Sequence, residues 1–249
     1  MGESTQRIGT GEVTGTGQRR RVPRRIGLLD LGPRREAGAT GFLLADFAEA
    51  LLAYDRVSNL PGAETEPPQI APIDRRAGSL AGLDALVIGR ELEEIDARGL
   101  DRLLSRSGGG LAGPGGNADM RVYAIAVTEL ESSPSYELAL RDLAAWCRER
   151  GLVWGGGALV EGEALVWAAR GTARMGWLLR RSSEALDRLI GAVRGGMTVP
   201  EAGIAYGAPV RASSRGPRVP ADVILARSPL PRPLAHRVAN LLRRGGRDR

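Results

Sequence analysis

The fold is decided by residues 26–53, which read IGLLDLGPRREAGATGFLLADFAEALLA. An apolar run of strand length comes first, a loop rich in Gly, Pro and Arg follows, and an amphipathic run of helical period ends the stretch. The sequence therefore predicts a strand, a loop and a helix that Thr40 caps. Such a loop delivers backbone N–H groups, an arginine and a hydroxyl to a helix N-terminus, where proteins commonly bind phosphate. A phosphate-bearing cofactor at this loop is the first hypothesis, and a plain surface connection is the alternative.

The same alternation continues along the chain. Near-continuous apolar runs at 81–89, 120–127 and 151–160 predict three further strands. Helical patterns cover 91–107 and 135–150, and the range 175–194 contains another helix, which Ser182 or Ser183 caps. The Pro-rich segment 57–79 is irregular, with one short strand predicted at 57–60. Buried strands that alternate with helices predict an α/β fold, a doubly wound parallel sheet with helices on both faces. Ligands of such folds lie at the carboxyl ends of the strands, so loops 31–40, 89–95 and 128–135 form the candidate site.

Charge is unevenly distributed along the 249 residues. Residues 1–25 carry six Arg and two Glu, residues 211–249 carry ten Arg and two Asp, and the total of +6 leaves the middle of the chain at −6. We expect a disordered basic arm over 1–25, one domain over 26–195, and a basic C-terminal extension over 196–249 with one helix. Aromatic residues make up only 4% of the chain, which does not favour stacking on nucleic-acid bases.

Targeting signals are not evident in the sequence. Residues 1–25 lack the apolar stretch of a secretory signal, and the most apolar later window, 151–169, contains two glutamates and five glycines. We therefore expect a cytoplasmic protein without a membrane span.

Missing residue types exclude several kinds of chemistry. All 35 basic residues are Arg, so a Schiff-base lysine and a Walker-type phosphate loop are both excluded. One histidine and one cysteine cannot supply a His/Cys zinc site, and no metal is predicted. Cys147 is interpreted as a small residue within a helix rather than a reactive thiol.

Three weaker patterns have a functional and a structural interpretation. The glycines at 155–157 could let the backbone approach a ligand, but a strand bulge or close packing is the favoured interpretation. Glu161 and Glu163 could act as an acid/base pair, but solvated charges on one strand are favoured. His236 is interpreted as a surface histidine rather than a catalytic base.

Residues 26–195 resemble the flavodoxin-like NAD(P)H-dependent FMN reductases and oxidoreductases. The loop LGPRREAGAT has Pro33, Arg34, Gly38 and Thr40 at places that match the family's phosphate loop, and the run from YAIAV to WCRERGLVWGGG is similar to its last strand–helix–strand unit. The resemblance implies FMN as cofactor, NAD(P)H as electron donor, a small-molecule electron acceptor, a homodimer and no obligatory catalytic side chain. The residues implied for cofactor binding are Gly32, Arg34, Gly38, Thr40, Gly89, Arg90, Thr128 and Glu129.

The same loops depart from the family pattern. The family's Gly-Ser is Leu31-Gly32 here, its loop asparagine is Ala39, and GRELEEID replaces the segment G-S-P-x-Y that lies against the flavin ring. A second hypothesis is therefore a flavodoxin-like binding or accessory protein that has lost the flavin. A third is a nucleic-acid-associated protein that acts through its basic segments, 19–25 and 211–249.

Overall fold

A computed structural model of the protein describes residues 22–32, 38–58, 66–74, 80–91, 100–101, 120–129, 134–174, 176–207 and 220–245. Six strands in these ranges form one sheet, and every neighbouring pair is parallel. The strands are β1 Arg25–Asp30, β2 Gln69–Pro72, β3 Ala85–Glu91, β4 Arg121–Thr128, β5 Val153–Glu161 and β6 Val223–Ala226.

Helices connect the strands and cover the sheet. They are α1 Ala39–Ser58, α2 Pro134–Glu149, α3 Glu163–Ala168, α4 Arg180–Arg194, α5 Val199–Ala205 and α6 Arg232–Gly245. None of the helices in the described ranges is long and apolar enough to cross a membrane.

The strand order is β2-β1-β3-β4-β5-β6. Its first five positions follow the order of the flavodoxin-like doubly wound sheet, in which the chain changes direction across the sheet between β1 and β3. The predicted fold class, a flavodoxin-like α/β fold with a doubly wound parallel sheet, is therefore confirmed.

Each face of the sheet has its own apolar core. Phe47 of α1 and Leu186 of α4 pack with Val87 and Ile125 on one face. On the other face, α2 packs against the sheet residues whose side chains alternate with these, such as Leu86 and Ile88. The central strands are buried on both faces, which explains why their sequences are continuous apolar runs.

The three glycines of β5 form a bulge. Val122 pairs with Trp154 and Tyr123 pairs with Gly156, so Gly155 is the extra residue. Gly156 has a φ of 106°, which is strained for any side chain, and a Cβ at Gly155 would collide with the Tyr123 ring. The structural interpretation of these glycines, a bulge with close packing, is confirmed.

The C-terminal segment differs from its prediction as an extension with one helix. After residue 195 the chain forms α5, then β6, which pairs with β5 at the edge of the same sheet, and then α6. Strand β6 has only four residues, too few to give a clear pattern, but its Val223 and Ala226 are buried. Residues 196–249 therefore contribute to the sheet itself. Of the N-terminal arm predicted over 1–25, residues 1–21 lie outside the described residues.

The predictions of a strand at 57–60 and of a helix cap at Ser182 or Ser183 were wrong. Val57 and Ser58, the first two residues of the strand predicted at 57–60, instead form the end of α1. Residues 59–60 lie outside the described ranges. Ser182 and Ser183 do not cap a helix: both lie buried within α4, and the Ser183 hydroxyl donates to the Arg174 carbonyl at 2.8 Å. The helix predicted over 91–107 lies mostly outside the described residues.

Candidate functional site

The carboxylate of Asp30 connects the two ends of the loop after β1 through hydrogen bonds. Asp30 ends the strand, and its Oδ1 accepts hydrogen bonds from the Gly32 backbone N–H at 2.8 Å and the Thr40 hydroxyl at 3.0 Å. Thr40 is fully buried as the second residue of α1, so it does not take the capping position that the sequence predicted. A Cβ at Gly32 would collide with the Thr40 hydroxyl, so the backbone approaches this hydroxyl closely. Asp30 thus receives the donors that the sequence predicted for a phosphate.

The described part of this loop does not fit a phosphate group. A second carboxylate lies close by, since Glu91 Oε1 is 3.4 Å from the position of a Cβ on Gly32. A phosphate here would have to displace Asp30 from two hydrogen bonds. Arg34, which was predicted to bind the phosphate, lies outside the described residues.

The other predicted residues of the first two loops have packing roles. Gly38 is buried just before α1, and its carbonyl accepts the Phe42 N–H at 3.3 Å. Gly89 pairs with Asp30 across β1 and β3, and a Cβ on it would lie 2.6 Å from the Leu44 side chain. Because Gly89 has no side chain, α1 can pack closely against β3 at this residue.

Arg90 is buried within β3 and is only 3% exposed. It lies two residues after Ile88 on the same strand, so its side chain points to the same face of the sheet, the one that α2 covers. Burial lowers the pKa of the Arg90 guanidinium, and the charge of Asp142 on α2 opposes this shift. Packing in the interior between the sheet and α2 therefore determines where the Arg90 side chain lies.

The third predicted loop leads to a cavity of about 450 Å³ at the carboxyl ends of β4, β5 and β6. Thr128 ends β4, and its carbonyl accepts the Gly162 N–H at 2.7 Å. Glu129 follows and lines the cavity. Its Oε1 accepts the Ala164 N–H at 3.1 Å, and its Oε2 lies 3.7 Å from Nε2 of His236 on α6. Of the seven predicted residues that the structure describes, Glu129 is the one that lines this cavity.

The opposite wall comes from the segment between β6 and α6. Glu161, the last residue of β5, accepts the Ser228 N–H at 3.3 Å through Oε2. The Ser228 hydroxyl donates to the Leu230 carbonyl at 2.9 Å, and the Ser228 carbonyl accepts Nη1 of Arg181 at 3.4 Å. Ser228 thus links β5, α4 and the start of α6, which fixes the shape of the wall.

Three arginines border the cavity, each from a different element. Arg181 belongs to the first turn of α4, Arg227 follows β6, and Arg232 begins α6. The two carboxylates of the lining, Glu129 and Glu161, already accept backbone N–H groups. Among the lining residues that the structure describes, arginines outnumber carboxylates, so this lining carries net positive charge.

Several of these residues were not predicted as functional. Glu161 and His236 were interpreted as surface charges, and Arg181 and Arg227 were not singled out. Glu161 and Glu163 do not share a strand, because the chain turns at Gly162, whose φ is 85°, and Glu163 begins α3. Arg227 directly follows the apolar run VILA, so its place at a carboxyl end was the available signal.

The one thiol lies away from both regions. Cys147 is buried in α2, and burial raises its pKa to about 12 against the opposing charge of Arg150. A thiol that stays protonated is a poor nucleophile, which agrees with the interpretation of Cys147 as a core residue.

No family model matches this sequence, and no curated protein is significantly similar to it. Among solved structures, the chain is similar to the Trp repressor binding protein from Bacillus subtilis at 15% sequence identity. The match covers 61% of this chain and 96% of that chain, with a TM-score of 0.35. The strand order by itself identifies the fold class as flavodoxin-like.

Proposed function

We propose that this chain is a flavodoxin-like binding protein that has lost the flavin phosphate site. The observation that carries the proposal is the Asp30 carboxylate, which accepts hydrogen bonds from both Gly32 and Thr40. These two donors stand where the resemblance implies contacts to the FMN phosphate. A carboxylate that takes both of them acts as a built-in substitute for that phosphate.

The electrostatic cost of adding a phosphate supports the same proposal. Two unit negative charges about 4 Å apart repel by about 4 kcal/mol at the effective dielectric constant of a protein surface. A loss of about 4 kcal/mol weakens binding roughly a thousandfold.

Residues of the second loop also support a site without flavin. A ring-binding loop needs side chains or backbone free to meet the ring. Gly89 is packed against Leu44, and Arg90 is buried on the opposite face of β3. Both residues are committed to the sheet and its helices.

A second candidate function is the FMN-binding, NAD(P)H-dependent oxidoreductase. The strand order favours it, since flavodoxin-like sheets bind FMN where the strand order reverses. Arg34 and Arg35, in the loop between Gly32 and Gly38, would add positive charge there. In this case Arg34 and Thr40 would hold the phosphate, and the flavin would supply the redox chemistry.

Flavin retention distinguishes the two functions. The purified full chain is incubated with FMN and desalted, and its visible spectrum is recorded. We expect no flavin absorbance in the protein fraction. Bands at about 370 and 450 nm that survive desalting would overturn the proposal and favour the oxidoreductase.

A substitution at Asp30 tests the cause. Asp30→Asn removes the negative charge but keeps the shape, so it should bind FMN at least about tenfold more tightly than the wild type, measured by quenching of flavin fluorescence. Glu149→Gln is the matched control, because Glu149 is an exposed acid on α2. Equal FMN affinity for Asp30→Asn and the control would contradict the role given to Asp30.

A further inference from the structure

We propose that the cavity at the carboxyl ends of β4, β5 and β6 binds a small phosphate monoester with a compact apolar group. The inference is independent of the proposed function, because the cavity lies at the other end of the sheet from the β1 loop and does not involve Asp30. Its volume of about 450 Å³ is within the range of sites for small molecules.

Positive charge is the first reason. Arg181, Arg227 and Arg232 border the cavity, and all three are exposed to solvent. Arg227 and Arg232 make no ion pair with any residue in the described ranges, so their guanidinium groups can pair with a ligand. Guanidinium groups donate paired N–H bonds that match the geometry of phosphate oxygens.

The carboxylates of the lining do not cancel this charge. Glu129 and Glu161 hold the α3 and β6 segments through the N–H groups of Ala164 and Ser228. Nε2 of His236 lies 3.7 Å from Oε2 of Glu129, so that carboxylate also faces an imidazole. The two glutamates therefore maintain the walls, while the arginines remain available to an anion.

The helix that begins at Arg232 adds to the effect. Helix α6 has 14 residues, and its first turn lines the cavity through Arg232, Ala235 and His236. The N-terminal end of a helix of this length carries partial positive charge. The Arg232 side chain and the helix end thus act on a ligand from the same side.

The remaining surface of the cavity determines the kind of phosphate. Leu165, Leu230 and the prolines at 229 and 231 form an apolar part of the lining. No described lining residue carries a phenyl, phenol or indole ring, so stacking on a nucleotide base or a flavin ring is not supported. The arginines and the apolar part of the lining therefore fit a ligand in which one phosphate group is joined to a short aliphatic chain.

The test uses n-butyl phosphate as the probe and isothermal titration calorimetry of the full chain. We expect submillimolar binding of n-butyl phosphate, weaker binding of inorganic phosphate and no measurable binding of n-butanol. If n-butanol binds as well as n-butyl phosphate, or if neither binds at millimolar concentration, the proposal is overturned. If inorganic phosphate binds as tightly as n-butyl phosphate, the cavity holds an adventitious ion only, and the proposal is overturned.

Substitutions locate the site. Arg227→Gln and Arg232→Gln should each weaken the binding of n-butyl phosphate about fivefold, as expected for the loss of one exposed charge pair. The double variant should weaken the binding further. Arg188→Gln is the matched control, since Arg188 is an exposed arginine of α4 outside the cavity lining. Thermal unfolding followed by circular dichroism verifies that each variant is folded. Unchanged affinity in the folded double variant would place the ligand elsewhere and overturn the proposal.

The same variants separate this inference from the proposed function. Loss of n-butyl phosphate binding in the double variant should leave FMN retention unchanged, because Arg227 and Arg232 are far along the sheet from Asp30. A protein that retains FMN but still loses n-butyl phosphate in the double variant would refute the proposed function and support the cavity site.

Discussion

Replacing Arg174 by Gln should destabilise the protein, because this side chain joins two helices. The Arg174 Nε donates to both carboxylate oxygens of Asp46 in α1, at 2.8 and 3.0 Å. Its Nη2 donates to Asp187 in α4 at 2.7 Å. Arg174 therefore holds α1 and α4 together on one face of the sheet, and α4 carries Arg181 into the cavity.

The expected loss lies between two limits. Exposed ion pairs contribute about 0–1 kcal/mol, and breaking a fully buried pair costs about 3–5 kcal/mol. The side chains of Arg174, Asp46 and Asp187 are 31%, 14% and 24% exposed, so the pairs are partly screened by water. We therefore expect Arg174→Gln to lower the free energy of unfolding by about 2 kcal/mol at neutral pH.

This loss should depend on pH. Burial raises the pKa of Asp46 above 3.8, and the hydrogen bond and charge of Arg174 oppose that shift. Without Arg174 the pKa of Asp46 in the folded protein should rise further. A carboxyl group with a raised pKa binds a proton more tightly in the folded than in the unfolded state, so stability increases as the pH falls through the folded value. The deficit of Arg174→Gln should therefore shrink in acid.

Urea unfolding at neutral pH and at about pH 4.5 measures both effects. Arg180→Gln is the control, because the Arg180–Glu184 pair spans one turn of α4 and is exposed, and its loss should cost at most about 0.5 kcal/mol. Equal losses for Arg174→Gln and Arg180→Gln would refute the reasoning about burial. A deficit for Arg174→Gln that does not change with pH would refute the role of Asp46.

Three further predictions concern the sheet and its core. Gly156→Ala should lower the free energy of unfolding by at least about 2 kcal/mol in urea, because its φ of 106° is strained and its Cβ would collide with the Asp222 carbonyl. Tyr123→Phe should cost about 1–2 kcal/mol in the same assay, because the Met197 carbonyl loses the phenol hydroxyl at 2.8 Å. Cys147 should react with a thiol reagent only after unfolding, since burial raises its pKa to about 12; rapid reaction of the native protein would contradict this.

The strands were predictable where burial on both faces left a continuous apolar run. This applies to β1, β3, β4 and β5. Strand β2 lies at an edge with three of its four residues exposed and contains Pro72, so no hydrophobic pattern marks it. Helix α5 was missed although its signal is present: Thr198 and Glu201 form a capping box, which the sequence TVPE encodes.

The candidate site was less predictable than the fold. The sequence predicted that Gly32 and Thr40 act together after β1, and the two residues do converge in the structure. It did not indicate that Asp30 would accept both of their hydrogen bonds, because that depends on how the loop returns to the end of the strand. The approach of His236 to Glu129 likewise depends on the packing of α6 against α3, which no local pattern encodes.

The carboxyl edge of the sheet is divided by charge, and this division connects the two proposals. Acidic residues end β1, β3 and β5, and Glu129 follows β4. The arginines that offset this charge around the cavity come from α4, from the end of β6 and from α6. The two proposals thus assign repulsion of an anion to the place beside Asp30 and attraction to the place beside Arg227. If both proposals hold, the protein binds no phosphate beside Asp30 but binds an anion where the C-terminal strand and helix bring arginines to the opposite end of the edge.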